Sequence, residues 1–282
     1  MNEMVDSFGG TELDATLWTI LGDPATVSVD NRLVMALTPG TVQENKLIYA
    51  VPHTFTGSTF SAEVSRFAGG SNAVATTVGV TTADELEYVI LRASGTQLSA
   101  WTRWRHQSSA TQVGAITLST TNHRFQRVRE AGGRVYFETS ANGTSWTTRW
   151  NVAHQFTSLN GLHGRVGVGT TASVANPVAA LIENVNTNVP ASPRQLAATT
   201  PEPLRVALTW QDGSPNETGF RIERREVGGT FQQVATTSAN ATSYSDVNVT
   251  ASITYEYRVS AVNAAGASPP SNVVTATVLA PP

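Results

Sequence analysis

Apolar and polar residues alternate with a period of two along most of the chain, the spacing of half-buried strands rather than helices. Thr59-Phe60-Ser61-Ala62-Glu63-Val64 and Arg134-Val135-Tyr136-Phe137-Glu138-Thr139 show it most clearly. Turn clusters punctuate the runs: Gly69-Gly70-Ser71-Asn72, Ala131-Gly132-Gly133, Ser140-Ala141-Asn142-Gly143 and Gly228-Gly229. Gly-Gly and Asn-Gly supply the positive φ that tight hairpins require. No long stretch has the 3.6-residue period of an amphipathic helix; Thr11–Trp18 could close one turn. Many short strands with regular turns predict β-sandwiches.

Composition agrees. Of 282 residues, 39 are Thr, 40% are hydrophobic and 14% are charged, which suits pleated, packed surfaces rather than a solvated disordered chain. The length suggests two domains. Thr187-Asn188-Val189-Pro190-Ala191-Ser192-Pro193 supplies the division, because prolines three apart favour an extended connector. The expected layout is a domain at 1–186, a linker at 187–193 and a second domain at 194–282. The Ala280-Pro281-Pro282 end also reads as linker, so the polypeptide is expected to continue.

With no cysteine there is no disulfide framework, thiol nucleophile or cysteine-ligated metal. A formal charge of −3 argues against a nucleic-acid partner. No apolar run reaches the roughly 20 residues of a membrane helix, so no membrane insertion is expected. Met1-Asn2-Glu3-Met4-Val5-Asp6 is polar and acidic, unlike a signal peptide.

Residues 194–282 resemble a fibronectin type III domain. The resemblance rests on Leu208-Thr209-Trp210, on Asn216-Glu217-Thr218-Gly219-Phe220-Arg221-Ile222-Glu223-Arg224, on Thr242–Asp246 and on Thr254–Gly266. It implies an immunoglobulin-like sandwich with Trp210 in its core and Tyr255 in register to bond back to the chain at the strand corner. The role implied is a spacer; no Arg-Gly-Asp occurs.

Residues 5–186 resemble the concanavalin A-like (laminin-G/glucanase-like) jelly roll. The carrying features are Asp6-Ser7-Phe8, Leu13-Asp14, Leu17-Trp18, the long hairpin from Phe125 to Trp146, and a closing strand Ala180–Val185 expected beside the first. The fold class is therefore all-β: a jelly-roll β-sandwich followed by an immunoglobulin-like one. The jelly roll hosts lectins, glycosidases and inert modules alike, so function must be read from a site.

Glucanases of this fold carry E-x-D-x-(x)-E on one strand, where alternate spacing puts the acids on one face. Here Glu12-Leu13-Asp14 has no third acid. Asp84-Glu85-Leu86-Glu87 places Glu85 and Glu87 on one face by parity, and reads as a solvated strand entrance. There is no H-E-x-x-H, G-x-S-x-G or P-loop. The missing motif tilts the reading away from catalysis and leaves open a site assembled in space.

Carbohydrate binding needs an aromatic platform with a few polar groups. Five of six tryptophans precede residue 187. In Trp101-Thr102-Arg103-Trp104-Arg105-His106, alternation puts Trp101, Arg103 and Arg105 on one face and sends Trp104 to the other. Charge adds a second candidate surface. Residues 1–91 hold three basic and eleven acidic groups, whereas 92–165 hold nine Arg and two Glu. Arg127 and Arg129 share a face, with Tyr136 on the next strand. Either these arginines grip the carboxylates of an acidic polysaccharide, or they pair with acids of the first half. The candidate ligand-binding residues are thus Trp101, Arg103, Arg105, Arg127, Arg129 and Tyr136. The jelly-roll resemblance further implies a structural calcium where the first and last strands meet, with Asp6 and Glu183 as candidate ligands; calcium needs six to eight oxygens.

The reading is a non-catalytic carbohydrate-binding module pair from a larger secreted or cell-surface bacterial protein, with a polysaccharide and neighbouring domains as partners. The alternatives are a structural or adhesive protein that binds protein, and a glycan-active hydrolase or lyase with a site assembled in space.

Overall fold

β-Branched and aromatic alternation becomes strands throughout. The computed structural model describes residues 6, 8, 11–30, 32–186, 190–214, 216–263 and 266–281. The chain divides into two compact units, Met1–Thr187 and Asn188–Pro282.

The first unit begins with β1 (Trp18–Leu21), a 3₁₀ turn at Pro24–Thr26, β2 (Val27–Val29), β3 (Leu33–Met35) and β4 (Glu44–Tyr49). It continues with β5 (Thr59–Arg66), β6 (Val74–Thr82), β7 (Tyr88–Ser94), β8 (Gln97–Arg103) and β9 (Thr111–Thr117). β10 (Phe125–Ala131), β11 (Arg134–Ser140), β12 (Thr147–Ala153), β13 (Leu162–Thr170) and β14 (Ala180–Glu183) complete it. Two seven-stranded antiparallel sheets result. The first has the order β1-β4-β13-β6-β7-β8-β9, the second β12-β11-β10-β5-β14-β3-β2. The chain crosses repeatedly between them and builds a two-sheet β-sandwich.

Their inner faces share one core. Leu47, Val78, Leu91 and Leu98 from the first sheet meet Leu33, Phe60, Val128 and Phe137 from the second, all fully buried. The Gly132-Gly133 turn closes β10 on β11, with φ of 61° and 76° and Ala131 opposite Arg134. Both signs are those of a two-residue primed turn. β14 pairs with β3 and β5, and its extension at Val185 meets Asp6. Trp18 is buried against Phe8 and Tyr49.

The second unit has a three-stranded sheet of β15 (Arg194–Thr199), β16 (Val206–Gln211) and β19 (Ser243–Asp246). Its other sheet runs β18 (Gln232–Ser238), β17 (Gly219–Glu226) and β20 (Thr254–Asn263). The short β21 (Gly266–Ala267) and β22 (Val274–Thr277) both pair with β20. Trp210 packs on Phe220 in the core, with ring centroids 5.5 Å apart. Tyr255 Oη accepts from the Thr250 backbone N–H at 3.4 Å, and the Tyr257 hydroxyl donates to Asp246 at 3.1 Å.

Candidate functional site

The outer face of the first sheet of Met1–Thr187 carries a groove of about 590 Å³. A neighbouring concavity of about 440 Å³ shares Glu44, Thr77, Arg92 and Thr171 with it. Strand register explains who meets there. One row across the sheet is Ile48, Arg165, Gly79, Ile90 and Trp101; the row to one side holds Lys46, Gly167, Thr77, Arg92 and Ser99. On the other side stand His163, Thr81, Tyr88 and Arg103. Gly79 keeps the middle of the floor low: a Cβ there would come within 2.1 Å of the Val89 carbonyl oxygen, so no side chain fits without moving β7.

Trp101 is half-buried and lines this groove. A register irregularity between β8 and β9 falls at Ala100/Trp101, the kind of kink that re-aims a side chain. The indole edge is fixed: Nε1 donates to Ser99 Oγ at 2.8 Å, and that hydroxyl donates to the Arg92 carbonyl at 3.1 Å. The ring is thus held before any ligand arrives, which lowers the ordering cost of binding. Trp104 goes the other way, 2% exposed and edge-on to Phe156 in the core.

Two kinds of cation line the groove. Lys46 and Arg165 form a closed charge cluster with Glu44 and Glu85. Lys46 Nζ lies 2.8 Å from Glu44 and 2.9 Å from Glu85; Arg165 lies 3.0 and 3.4 Å from the same two acids. Arg92 and Arg103 are different. Among the described residues neither has an acidic partner or a side-chain hydrogen bond, and the Arg103 Nε is buried without one. Burial pulls the Arg92 pKa below its ordinary value, the sign of a guanidinium with no counter-charge.

The other sequence candidates separate from this site. Arg105 does not share the face of Trp101, because β8 ends at Arg103; it pairs with Asp84 at 2.8 Å and Glu87 at 3.5 Å. The Thr82 hydroxyl and then Arg105 hold Asp84 down at about 2. Glu85 and Glu87 do not share a face either, since residues 84–87 form a turn, with Glu85 at φ 54°. Glu85 faces the groove, whereas Glu87 is buried and accepts from the Thr157 N–H and hydroxyl, both at 3.0 Å. This segment is a turn anchor, not a solvated strand entrance.

Arg127, Arg129 and Tyr136 lie on the second sheet. Glu138 is the shared counter-ion of both arginines, at 2.7 and 3.0 Å. Arg127 stacks on Trp146 at 4.1 Å and Arg129 on Tyr136 at 4.2 Å. Their partner is therefore their own hairpin, not the acidic first half. Arg105, Arg124 and Arg165 do pair with first-half acids.

Asp6 and Glu183 are engaged separately. Asp6 accepts from the Phe8 N–H and from Trp18 Nε1, both at 2.7 Å; Glu183 accepts from the Ser65 hydroxyl at 2.5 Å. Among the described residues no group of three or more acidic, histidine or cysteine side chains could hold a metal. Alternation misses Arg92, Tyr88, Arg165 and Thr77, although Tyr88, Ile90 and Arg92 occupy one face of a single strand. Only sheet register brings that strand beside Trp101.

Comparison with known proteins concerns the second unit. Residues 191–277 match the fibronectin type III domain. The domain resembles those of amylopullulanases. The amylopullulanase of Thermoanaerobacterium thermosulfurigenes is 40% identical over 75 residues, which are 26% of this chain and 4% of that protein. That of Thermoanaerobacterium saccharolyticum is 39% identical over 75 residues, again 26% of this chain and 6% of the relative. The match thus spans a small fraction of either relative. Among solved structures, an Fn3-like protein from Clostridium thermocellum is 28% identical, with 31% of this chain and 91% of that one covered at a TM-score of 0.28. The sixth domain of human fibronectin type III domain containing protein 3 is 24% identical, with 33% and 89% covered at a TM-score of 0.29. Among the described residues no helix is long and apolar enough to cross a membrane.

Proposed function

We propose that residues 1–186 form a non-catalytic carbohydrate-binding module of the concanavalin A-like kind. The fibronectin type III domain is its spacer, and both belong to a larger secreted or surface protein that acts on glycans. The observation that carries this is Trp101, a half-buried indole pinned by Ser99 in a groove where Leu86, Ile90 and Ala110 stand among a majority of polar and charged groups. Such a ring stacks on a sugar face while its polar surroundings fix hydroxyls. The likeness to amylopullulanases is consistent with a polysaccharide context. A glycan array and affinity electrophoresis of the whole chain, with and without calcium, test the proposal. Retention that Trp101→Ala abolishes at unchanged melting temperature supports it; silence across neutral and acidic polysaccharides overturns it.

One observation favours a second reading. Glu44 and Glu85 sit side by side on Lys46 in the groove, and paired carboxylates are the apparatus of glycoside hydrolysis. Both, however, are occupied by Lys46 and Arg165, an arrangement suited to a rigid groove wall. Release of reducing sugar from a bound glycan, lost in Glu44→Gln and Glu85→Gln, would establish hydrolysis instead. Of the edge strands β1, β9, β12 and β2, β9 and β12 adjoin register irregularities that twist an edge away from pairing, which disfavours strand addition at those two.

A further inference from the structure

The groove's charge is unbalanced in one place. Lys46 and Arg165 are matched by Glu44 and Glu85, and Asp84 by Arg105. What remains is Arg92 and Arg103, two guanidinium groups on groove-lining side chains without acidic partners among the described residues. A folded protein rarely leaves a half-buried guanidinium unpaired, because the charge has lost part of its hydration without a replacement. The register places them symmetrically. Arg92 stands opposite Ser99, two residues before Trp101, and Arg103 two residues after it. Same-face neighbours on a strand are about 7 Å apart, so the two rows lie roughly 13 Å apart with the indole between them.

We propose that this groove binds an acidic polysaccharide of the polyuronate class, one sugar stacked on Trp101 and carboxylates of the chain seated on Arg92 and Arg103. The proposal rests on the carbohydrate reading above and adds the ligand's charge. Carboxylates complete the guanidinium hydrogen bonds that the protein leaves unmade, in the planar geometry Arg prefers. A separation of roughly 13 Å calls for acid groups on different rings of one chain. The arginines that carry this proposal are Arg92 and Arg103, rather than Arg127 and Arg129, which share Glu138 as their partner.

The test uses affinity electrophoresis of the full chain in polygalacturonate and in alginate, against fully methyl-esterified pectin and a neutral β-glucan. Esterification keeps the backbone and removes the charge. Expected is retention on at least one polyuronate, at least tenfold weaker on the esterified polymer, and weakened by 0.5 M salt. Arg92→Gln and Arg103→Gln should each weaken it roughly ten- to hundredfold, the loss of a charge-assisted hydrogen bond. Arg127→Gln on the other sheet should leave it unchanged. Arg92→Lys and Arg103→Lys keep the charge without the fork and guard against a folding defect; they should fall between wild type and Gln. Trp101-dependent retention of neutral glucan equal to that of the polyuronates, indifferent to Arg92 and Arg103, overturns this inference and leaves the carbohydrate reading standing. Retention of no glycan overturns both.

Discussion

Glu63 makes the stability of the first unit depend on pH near neutrality. It stands opposite Glu183 across β5 and β14, and both carboxylates are buried, at 0% and 2% exposure. One guanidinium, Arg124, is ion-paired with Glu63, and the Asn184 amide donates to it at 2.6 Å. A buried carboxyl facing a second buried carboxylate holds on to its proton. Burial first, and then the charge of Glu183, push the Glu63 carboxyl from 4.5 up to about 7, against the pull of Arg124 and Asn184. The sign follows from linkage. The folded state keeps its proton up to about 7, whereas the unfolded chain releases it at the ordinary carboxylate value. This contribution to stability is therefore complete below pH ~4.5 and is lost as pH rises through about 7. At about 1.4 kcal/mol per pH unit the loss is about 3 kcal/mol, or ~6–12 °C in Tm for a unit of this size. Glu63→Gln cannot ionise. Urea unfolding of wild type and variant at pH 4.5, 6 and 8, followed by core tryptophan fluorescence, isolates the term as a difference of differences. The wild-type advantage should shrink, or the variant's grow, by about 3 kcal/mol between pH 4.5 and 8. A difference between the two proteins that stays constant over that range refutes the reasoning.

Trp104→Ala removes a buried ring from the core and should cost ~3–5 kcal/mol in denaturant unfolding, whereas Trp101→Ala should stay within about 1 kcal/mol of wild type; the reverse order would exchange their roles. Glu138→Gln leaves Arg127 and Arg129 side by side without their shared counter-charge and should destabilise by ~2 kcal/mol, a value discounted for the half-exposed arginines. Burial alone would raise the Glu138 pKa, but hydrogen bonding from Arg129 and the charge of Arg127 keep it below the ordinary value. That stabilisation should be present at neutral pH and vanish on acidification below the usual carboxylate range, as pH-dependent melting would register. In the fibronectin type III domain, Tyr257→Phe deletes the bond to buried Asp246 and should lower unfolding free energy by ~1–2 kcal/mol; an unchanged value would mean that Arg224, 2.7 Å from Asp246, suffices.

Local information was readable in the sequence and convergence was not. The Gly132-Gly133 turn follows from the φ that only such residues take freely, and the outward face of Trp101 with Arg103 follows from parity within β8. Parity fails where a strand ends: Arg105 lies past the last residue of β8, and residues 84–87 never enter one. The pairing of Arg127 and Arg129 with Glu138 was implicit in the hairpin, since a turn at Gly132-Gly133 sets Arg127 opposite Glu138. Arg92 was out of reach for another reason. Its importance comes from lacking a partner in a sheet whose order, β4-β13-β6-β7-β8, joins segments more than a hundred residues apart. Net charge conceals such an imbalance, because −3 is a sum over pairs that are made and pairs that are not.

The central claim is that the Trp101 groove holds a sugar chain. Affinity electrophoresis of wild type and Trp101→Ala side by side in polysaccharide gels, each checked for the same melting temperature, addresses it most directly. Retardation of the wild type with free migration of the variant is the predicted result. Equal mobility of two equally folded proteins in every polysaccharide gel would contradict it.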